Sequence, residues 1–174
     1  GLVAALGLLI GLRTGAQGGP LALEAADVVH VMLAPIDRRS ALARPAAQRL
    51  RSALFSGAIG GAVVGQLAAR RLPGSILAWA AGGALFGASV ALCWMAAALL
   101  AHTLRLRRAF ATATGLAVVV WQGAAVAWHL PGIGNVPGSL GLWGWRQHSI
   151  DLVVPALGVA GCIAGFALLG RISL

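Results

Sequence analysis

Three ionisable side chains recur at three-residue spacing between residues 21 and 33, namely Glu24, Asp27 and His30. On a helix this spacing places them on one face, where two carboxylates and an imidazole could bind a metal ion or relay a proton. A helix that lies at a membrane surface and turns one polar face to water has the same pattern. We favour this second interpretation, because such a polar face is the ordinary feature of an interfacial helix.

A second group of ionisable residues, His148 and Asp151, lies at the start of the last apolar run of the chain. Charged groups at the mouth of a membrane span can gate a path or bind a substrate, so the two residues are candidates for an outer mouth. An aspartate in the first turn of a helix is also favoured by the helix dipole alone. The dipole explanation is the simpler one, and the mouth remains a hypothesis.

The sequence contains none of the patterns on which common enzyme chemistry depends. There is no phosphate-binding loop, no serine elbow, no cysteine–histidine zinc spacing and no paired carboxylates, and only four acidic residues are available for proton transfer. Cys93 and Cys162 both lie inside apolar runs, where thiols act as small packing residues. We therefore expect a protein that is not itself an enzyme and binds no metal or cofactor directly.

The composition is that of a protein embedded in a lipid bilayer. Hydrophobic residues make up 59% of the chain and charged residues 10%, with a mean hydropathy of +0.88. Soluble domains carry about 25% charged residues. The net charge of +9 comes from arginine alone, and the arginines cluster at the ends of apolar runs, where they orient membrane helices. The bilayer is thus the expected partner, and nucleic acid is not.

The lengths of the apolar runs predict an all-α, polytopic membrane protein. A span needs about 20 residues, so the run 1–12 is predicted to be a truncated span whose beginning lies upstream. Four complete spans are predicted from the later runs, and residues 1–174 form a single transmembrane domain that is a fragment of a longer chain lacking its first span. The four runs are Ser52 to Ala69, Ile76 to Ala101, Ala109 to His129 and Ile150 to Gly170.

Glycines at four-residue spacing occur in three of the predicted spans. This spacing forms a stripe of small residues along one helix face and lets two helix backbones approach closely. Within the spans Gln66 and Gln122 are expected to form hydrogen bonds between helices, with pore lining as the second possibility. The glycines predicted to pack helices are Gly57, Gly61, Gly65, Gly83, Gly87, Gly161 and Gly165.

The arginines also predict the orientation of the chain. If the stretch 38–51 is cytoplasmic, alternation of the spans places ten of the thirteen arginines on that side, which fits the positive-inside rule. The segment from Pro131 to Gln147 is then external, and its glycines, proline and tryptophans predict an irregular loop. Tryptophans predicted to form an aromatic belt at the outer interface are Trp79, Trp128, Trp143 and Trp145.

The largest predicted cytoplasmic segment contains an apolar stretch that stops at a proline and ends in charged residues. It reads Val31-Met32-Leu33-Ala34-Pro35-Ile36-Asp37-Arg38-Arg39 and is followed by a basic segment from Ser40 to Arg51. This stretch and the order of the spans resemble the membrane subunits of bacterial ABC exporters of the second permease superfamily. The use of arginine without lysine is similar to that of actinobacterial members. There, a coupling elbow of this kind lies between spans two and three.

The resemblance implies a permease subunit that forms a substrate path and binds ATP only through a separate ATPase subunit. By this resemblance the ATPase docks on Leu33, Pro35, Ile36, Asp37, Arg38 and Arg39. A second permease half or copy completes the transporter in a bacterial inner (cytoplasmic) membrane. The alternative is a non-transporting structural or assembly subunit of a large membrane complex, which would have the same spans and glycines but no ATPase partner.

Overall fold

A computed structural model describes residues 1–17, 38–132 and 134–146, together with six single helical positions between 153 and 164. For residues 38–46 and for five further positions in the last helix, only the backbone is described. Every regular element in these ranges is an α-helix, which confirms the all-α class. The helices are α1 (Leu2–Gly15), α2 (Arg38–Ala69), α3 (Ile76–Thr103), α4 (Arg108–Ala127) and α5 (Asn135–Arg146).

Three of the described helices are long and apolar enough to cross a membrane. They are α3, α4 and the stretch Ala47–Ala69 of α2. Helix α1 is apolar but only 14 residues long, so it does not reach the length of a span. The predicted last span, Ile150 to Gly170, lies outside the described residues except for the six helical positions. The membrane class is therefore supported by three helices, and the predicted number of spans remains a prediction.

The ends of the long helices have identifiable local causes. Helix α3 begins where the Ser75 hydroxyl accepts a hydrogen bond from the Ala78 amide at 3.4 Å, an N-terminal cap. Helices α3 and α4 are each followed by a residue with positive φ, Arg105 at 47° and His129 at 55°. This left-handed conformation reverses the chain just after a helix. Arg105 thus lies in the short connection between α3 and α4, and His129 lies in the turn that leads to α5.

Helix α3 is at the centre of the described bundle. It packs against α1, α2 and α5, whereas α4 packs against α1. Close approaches run in the same order along α1 and α3, from Gly7 beside Val90 to Gly15 beside Ala98, so these two helices are parallel. Helix α2 runs antiparallel to α3. Small apolar side chains fill the contact between α1, α3 and α4, with Leu12, Ala97, Ala101 and Ala111 buried together.

The irregular backbone predicted from Pro131 to Gln147 is wrong over most of its length, because residues 135–146 form helix α5, whereas the external placement of the segment stays a prediction. The glycine and proline content of this segment suggested an irregular backbone, but the effect of these residues on a helix depends on where in the helix they lie. Pro137 lies in the first turn of α5, where a backbone N–H has no partner within the helix and its loss costs little. Gly134 and Gly138 allow the start of α5 to approach the backbone of Gly1.

The placement of Trp79 in an outer aromatic belt is also wrong. Its side chain is 5% exposed, and the indole Nε1–H donates a hydrogen bond to the Pro73 carbonyl at 3.1 Å. Through this hydrogen bond, the buried Trp79 side chain stabilises the turn between α2 and α3. Trp128, just after α4, is 71% exposed and free to lie at an interface. Trp143 is partly buried, and the side chain of Trp145 lies outside the described part.

Candidate functional site

The predicted docking elbow falls at the edge of the described chain. Arg38 and Arg39 form the first turn of α2, although their side chains are not described. Leu33, Pro35, Ile36 and Asp37 lie outside the described residues, as do Glu24, Asp27 and His30. The candidate outer mouth, His148 and Asp151, lies outside them too. The predictions for these groups stay predictions.

Five of the predicted packing glycines meet at the contact between α2 and α3. A Cβ atom added to Gly61 would overlap the carbonyl oxygen of Gly83, and one added to Gly83 would overlap that of Gly61. Gly57 and Gly87 have the same reciprocal relationship, and Gly65 lies against the carbonyl of Trp79. Backbone therefore packs directly on backbone along about two turns of each helix. A side chain at any of these positions would push the helices apart.

The other two predicted packing glycines belong to the last apolar run. A Cβ atom added to Gly161 would meet no atom within 4 Å, and Gly165 lies outside the described residues. The packing role predicted for Gly161 thus finds no neighbour among the described residues, and that of Gly165 stays a prediction.

A further glycine contact, between α1 and α3, was not predicted. Gly11 lies against the carbonyl of Trp94 and Gly15 against that of Ala98, while Gly7 faces the Val90 side chain. These three glycines have the same four-residue spacing as the stripe in α2. The signal was present in the sequence, but the first run was too short to suggest a packed span.

A buried amide connects α4 to the start of α5. The Gln122 side chain is fully buried, and its Oε1 accepts a hydrogen bond from the Gly134 amide at 2.8 Å. Its Nε2 donates to Asn135 Oδ1 at 3.0 Å. The Asn135 Nδ2 in turn donates to the Leu130 carbonyl at 3.4 Å. Gln122 thus forms the interhelical hydrogen bonds predicted for it, whereas Gln66 is exposed.

An apolar groove lies over α3 between α1, α2 and α5, which contribute Val3, Val64 and Gly141 to its larger part. Its larger part has a volume of about 480 Å³ and is lined by residues that include Gly60, Val64, Trp79 and Phe86. A second part of about 290 Å³ continues it toward Trp94 and shares Ser56, Gly57, Gly87 and Val90 with the first. Such volumes are typical of sites for small or chain-like apolar molecules.

Within the described ranges, no group of three or more His, Cys, Asp or Glu residues could hold a metal ion. Comparisons with protein families, with curated proteins and with solved structures find no match to this chain. Any function must accordingly be argued from the residues and their geometry alone.

Proposed function

We propose that the chain is a permease subunit of an ABC-type exporter in a bacterial inner membrane. It docks a separate ATPase subunit through residues 33–39 and forms one half of a substrate path. The observation that carries the proposal is the position of this stretch. Its last two residues, Arg38 and Arg39, form the first turn of a helix that continues without interruption to Ala69.

The continuity of α2 gives the elbow a mechanical role. At 1.5 Å per residue, a helix of 32 residues is about 48 Å long. We expect a displacement imposed at Arg38 to be carried along this helix, past the hydrogen bond that Pro45 removes, to Gly57, Gly61 and Gly65, where α2 packs on α3. Because that contact consists of backbone and of small side chains such as that of Ala91, the two backbones can change their relative position without repacking large groups. A motor bound at one end would therefore move α2 against α3 inside the membrane.

Charge reversal at the elbow tests this function. We expect Arg38→Glu combined with Arg39→Glu to leave membrane insertion intact, because Arg44, Arg49 and Arg51 still mark the inner side. ATPase activity that co-purifies with the detergent-solubilised wild type should be lost from the double variant. Charge pairs at such an interface determine register and partner choice, so reversal of both charges opposes docking.

The matched control is Arg70→Glu with Arg71→Glu, a second arginine pair at the opposite end of α2. This control should keep its ATPase. If the elbow variant also keeps a coupled ATPase, the two arginines contact only lipid headgroups, worth about 1 kcal/mol each. If wild-type protein purified from its native membrane brings down no ATPase, the proposal fails and the structural or assembly subunit takes its place.

A further inference from the structure

The groove between α1 and α2 is long enough to hold an acyl chain of one leaflet. It extends along α3 from Trp79 to Trp94, which is about 22 Å at 1.5 Å per residue. Half of a hydrocarbon core about 30 Å thick is about 15 Å. Ser56, the polar side chain on the lining, already donates to the Ser52 carbonyl at 2.5 Å. The groove therefore offers an apolar chain a complementary surface.

One end of the groove has an arginine on each wall. Ala53 of α2 and Ile10 of α1 line its inner part, beside Trp94. Arg49 precedes Ala53 by four residues and Arg13 follows Ile10 by three, so each arginine lies on the same helix face as the lining residue, one turn further along. Both arginines are exposed. Because α1 and α2 run in opposite directions against α3, the two cations flank the same end.

This combination points to an anionic occupant with a long apolar tail. Guanidinium groups bind phosphate through paired N–H donors. A neutral apolar ligand would use none of these groups.

We propose that the groove binds an anionic phospholipid from the leaflet at the arginine-rich end. One acyl chain lies over Gly57, Gly87 and Val90, and the phosphate lies between Arg13 and Arg49. The lipid fills the space that α1 and α2 leave open over α3 and so completes the bundle. This inference requires a membrane-embedded chain but does not depend on the exporter function.

Native mass spectrometry of the detergent-solubilised chain tests the proposal, with phosphatidylglycerol and phosphatidylcholine of identical acyl chains as probes. The wild type should retain phosphatidylglycerol in preference to phosphatidylcholine. Arg13→Gln and Arg49→Gln should each weaken its binding about fivefold, which corresponds to roughly 1 kcal/mol for one arginine at an anionic surface. Arg70→Gln, at the other end of α2, should change nothing. Equal retention of the two lipids by the wild type would overturn the proposal.

A second pair of variants tests the groove itself. A Cβ added to Gly60 meets no atom within 4 Å, although Gly60 lines the larger part of the groove, so Gly60→Leu should fill it without disturbing α2. Gly123 of α4 is equally open but lies away from the groove lining. We expect Gly60→Leu to reduce retention of both lipids and Gly123→Leu to have no effect, with helix content and elution volume unchanged in both.

Two results would contradict the groove as a lipid site. Unchanged phosphatidylglycerol retention in Gly60→Leu would place the lipid elsewhere on the molecule. If the wild type forms a dimer without bound lipid and Gly60→Leu dissociates that dimer, a helix of a second copy fills the groove instead.

Discussion

The side-chain amide of Gln122 donates a hydrogen bond to Asn135 Oδ1 at 3.0 Å and so connects the last turns of α4 to the first turn of α5. The same side chain accepts a hydrogen bond from the backbone amide of Gly134. Helix α5 thus begins beside Gln122, five residues before the end of α4, and the chain doubles back after His129. One buried amide therefore supplies the acceptor for the backbone N–H of Gly134, the residue that precedes α5.

The first prediction is that Gln122→Leu destabilises the protein by about 1–3 kcal/mol, because the Gly134 amide and the Asn135 side chain lose a buried partner. The loss should appear as a lower midpoint of thermal unfolding in detergent. Gln66→Leu is the matched control, since Gln66 is exposed on α2 and the same change should have little effect. Equal midpoints for the two variants would show that the Gln122 hydrogen bonds contribute nothing.

The second prediction concerns the contact between α2 and α3. Gly61→Leu should separate these helices, because its side chain would occupy the position of the Gly83 carbonyl. Overpacking of this kind costs about 1–3 kcal/mol. Ala62→Leu adds similar bulk to the neighbouring residue and should cost much less. The comparison is made by thermal unfolding and detergent size-exclusion chromatography, and identical behaviour of the two variants would argue against a direct backbone contact at Gly61.

Run length and glycine spacing were sufficient to predict the long helices and one of their contacts. The predicted start of α3 at Ile76 agrees with the structure, since Ser75 caps the helix there, and its end differs by two residues. The spacing of Gly57, Gly61 and Gly65 identified the face of α2 that packs on α3. These features depend on residues that are close in sequence, which is why periodicity reveals them.

Features that depend on the relative placement of helices were not predictable in this way. The start of helix 135–146 contacts Gly1 and Gln122, which are distant in sequence, whereas glycine and proline content alone suggested a loop. Trp79 is buried because the turn before α3 folds back over it. The groove exists because α1 and α2 both pack on α3 and leave a space between them, and a single helix pattern does not contain that information.

The third prediction tests the contact between α1 and α3. Gly15→Ala should destabilise the protein more than Gly7→Ala does, although both changes add one methyl group to the same helix. The added Cβ at Gly15 would overlap backbone of Ala98, whereas at Gly7 its nearest neighbour is a methyl group of Val90 at 3.0 Å, a longer contact and with a side chain instead of backbone. We expect about 1–3 kcal/mol for Gly15→Ala and a fraction of that for Gly7→Ala. A larger loss for Gly7→Ala in thermal unfolding would contradict the parallel packing of α1 on α3.

The last prediction is that the two ends of α3 lie on opposite sides of the membrane. Its 28 residues span about 42 Å, more than a hydrocarbon core of about 30 Å. Leu72 and Leu104 are exposed residues just before and just after this helix. In a background with Cys93 and Cys162 changed to serine, Leu72→Cys should react with an impermeant maleimide in intact cells. Leu104→Cys should react only after permeabilisation, because the arginines beside it mark the cytoplasmic side. Labelling of both positions in intact cells would show that α3 does not cross the membrane. Labelling of Leu104→Cys alone would show that the orientation is opposite to the predicted one.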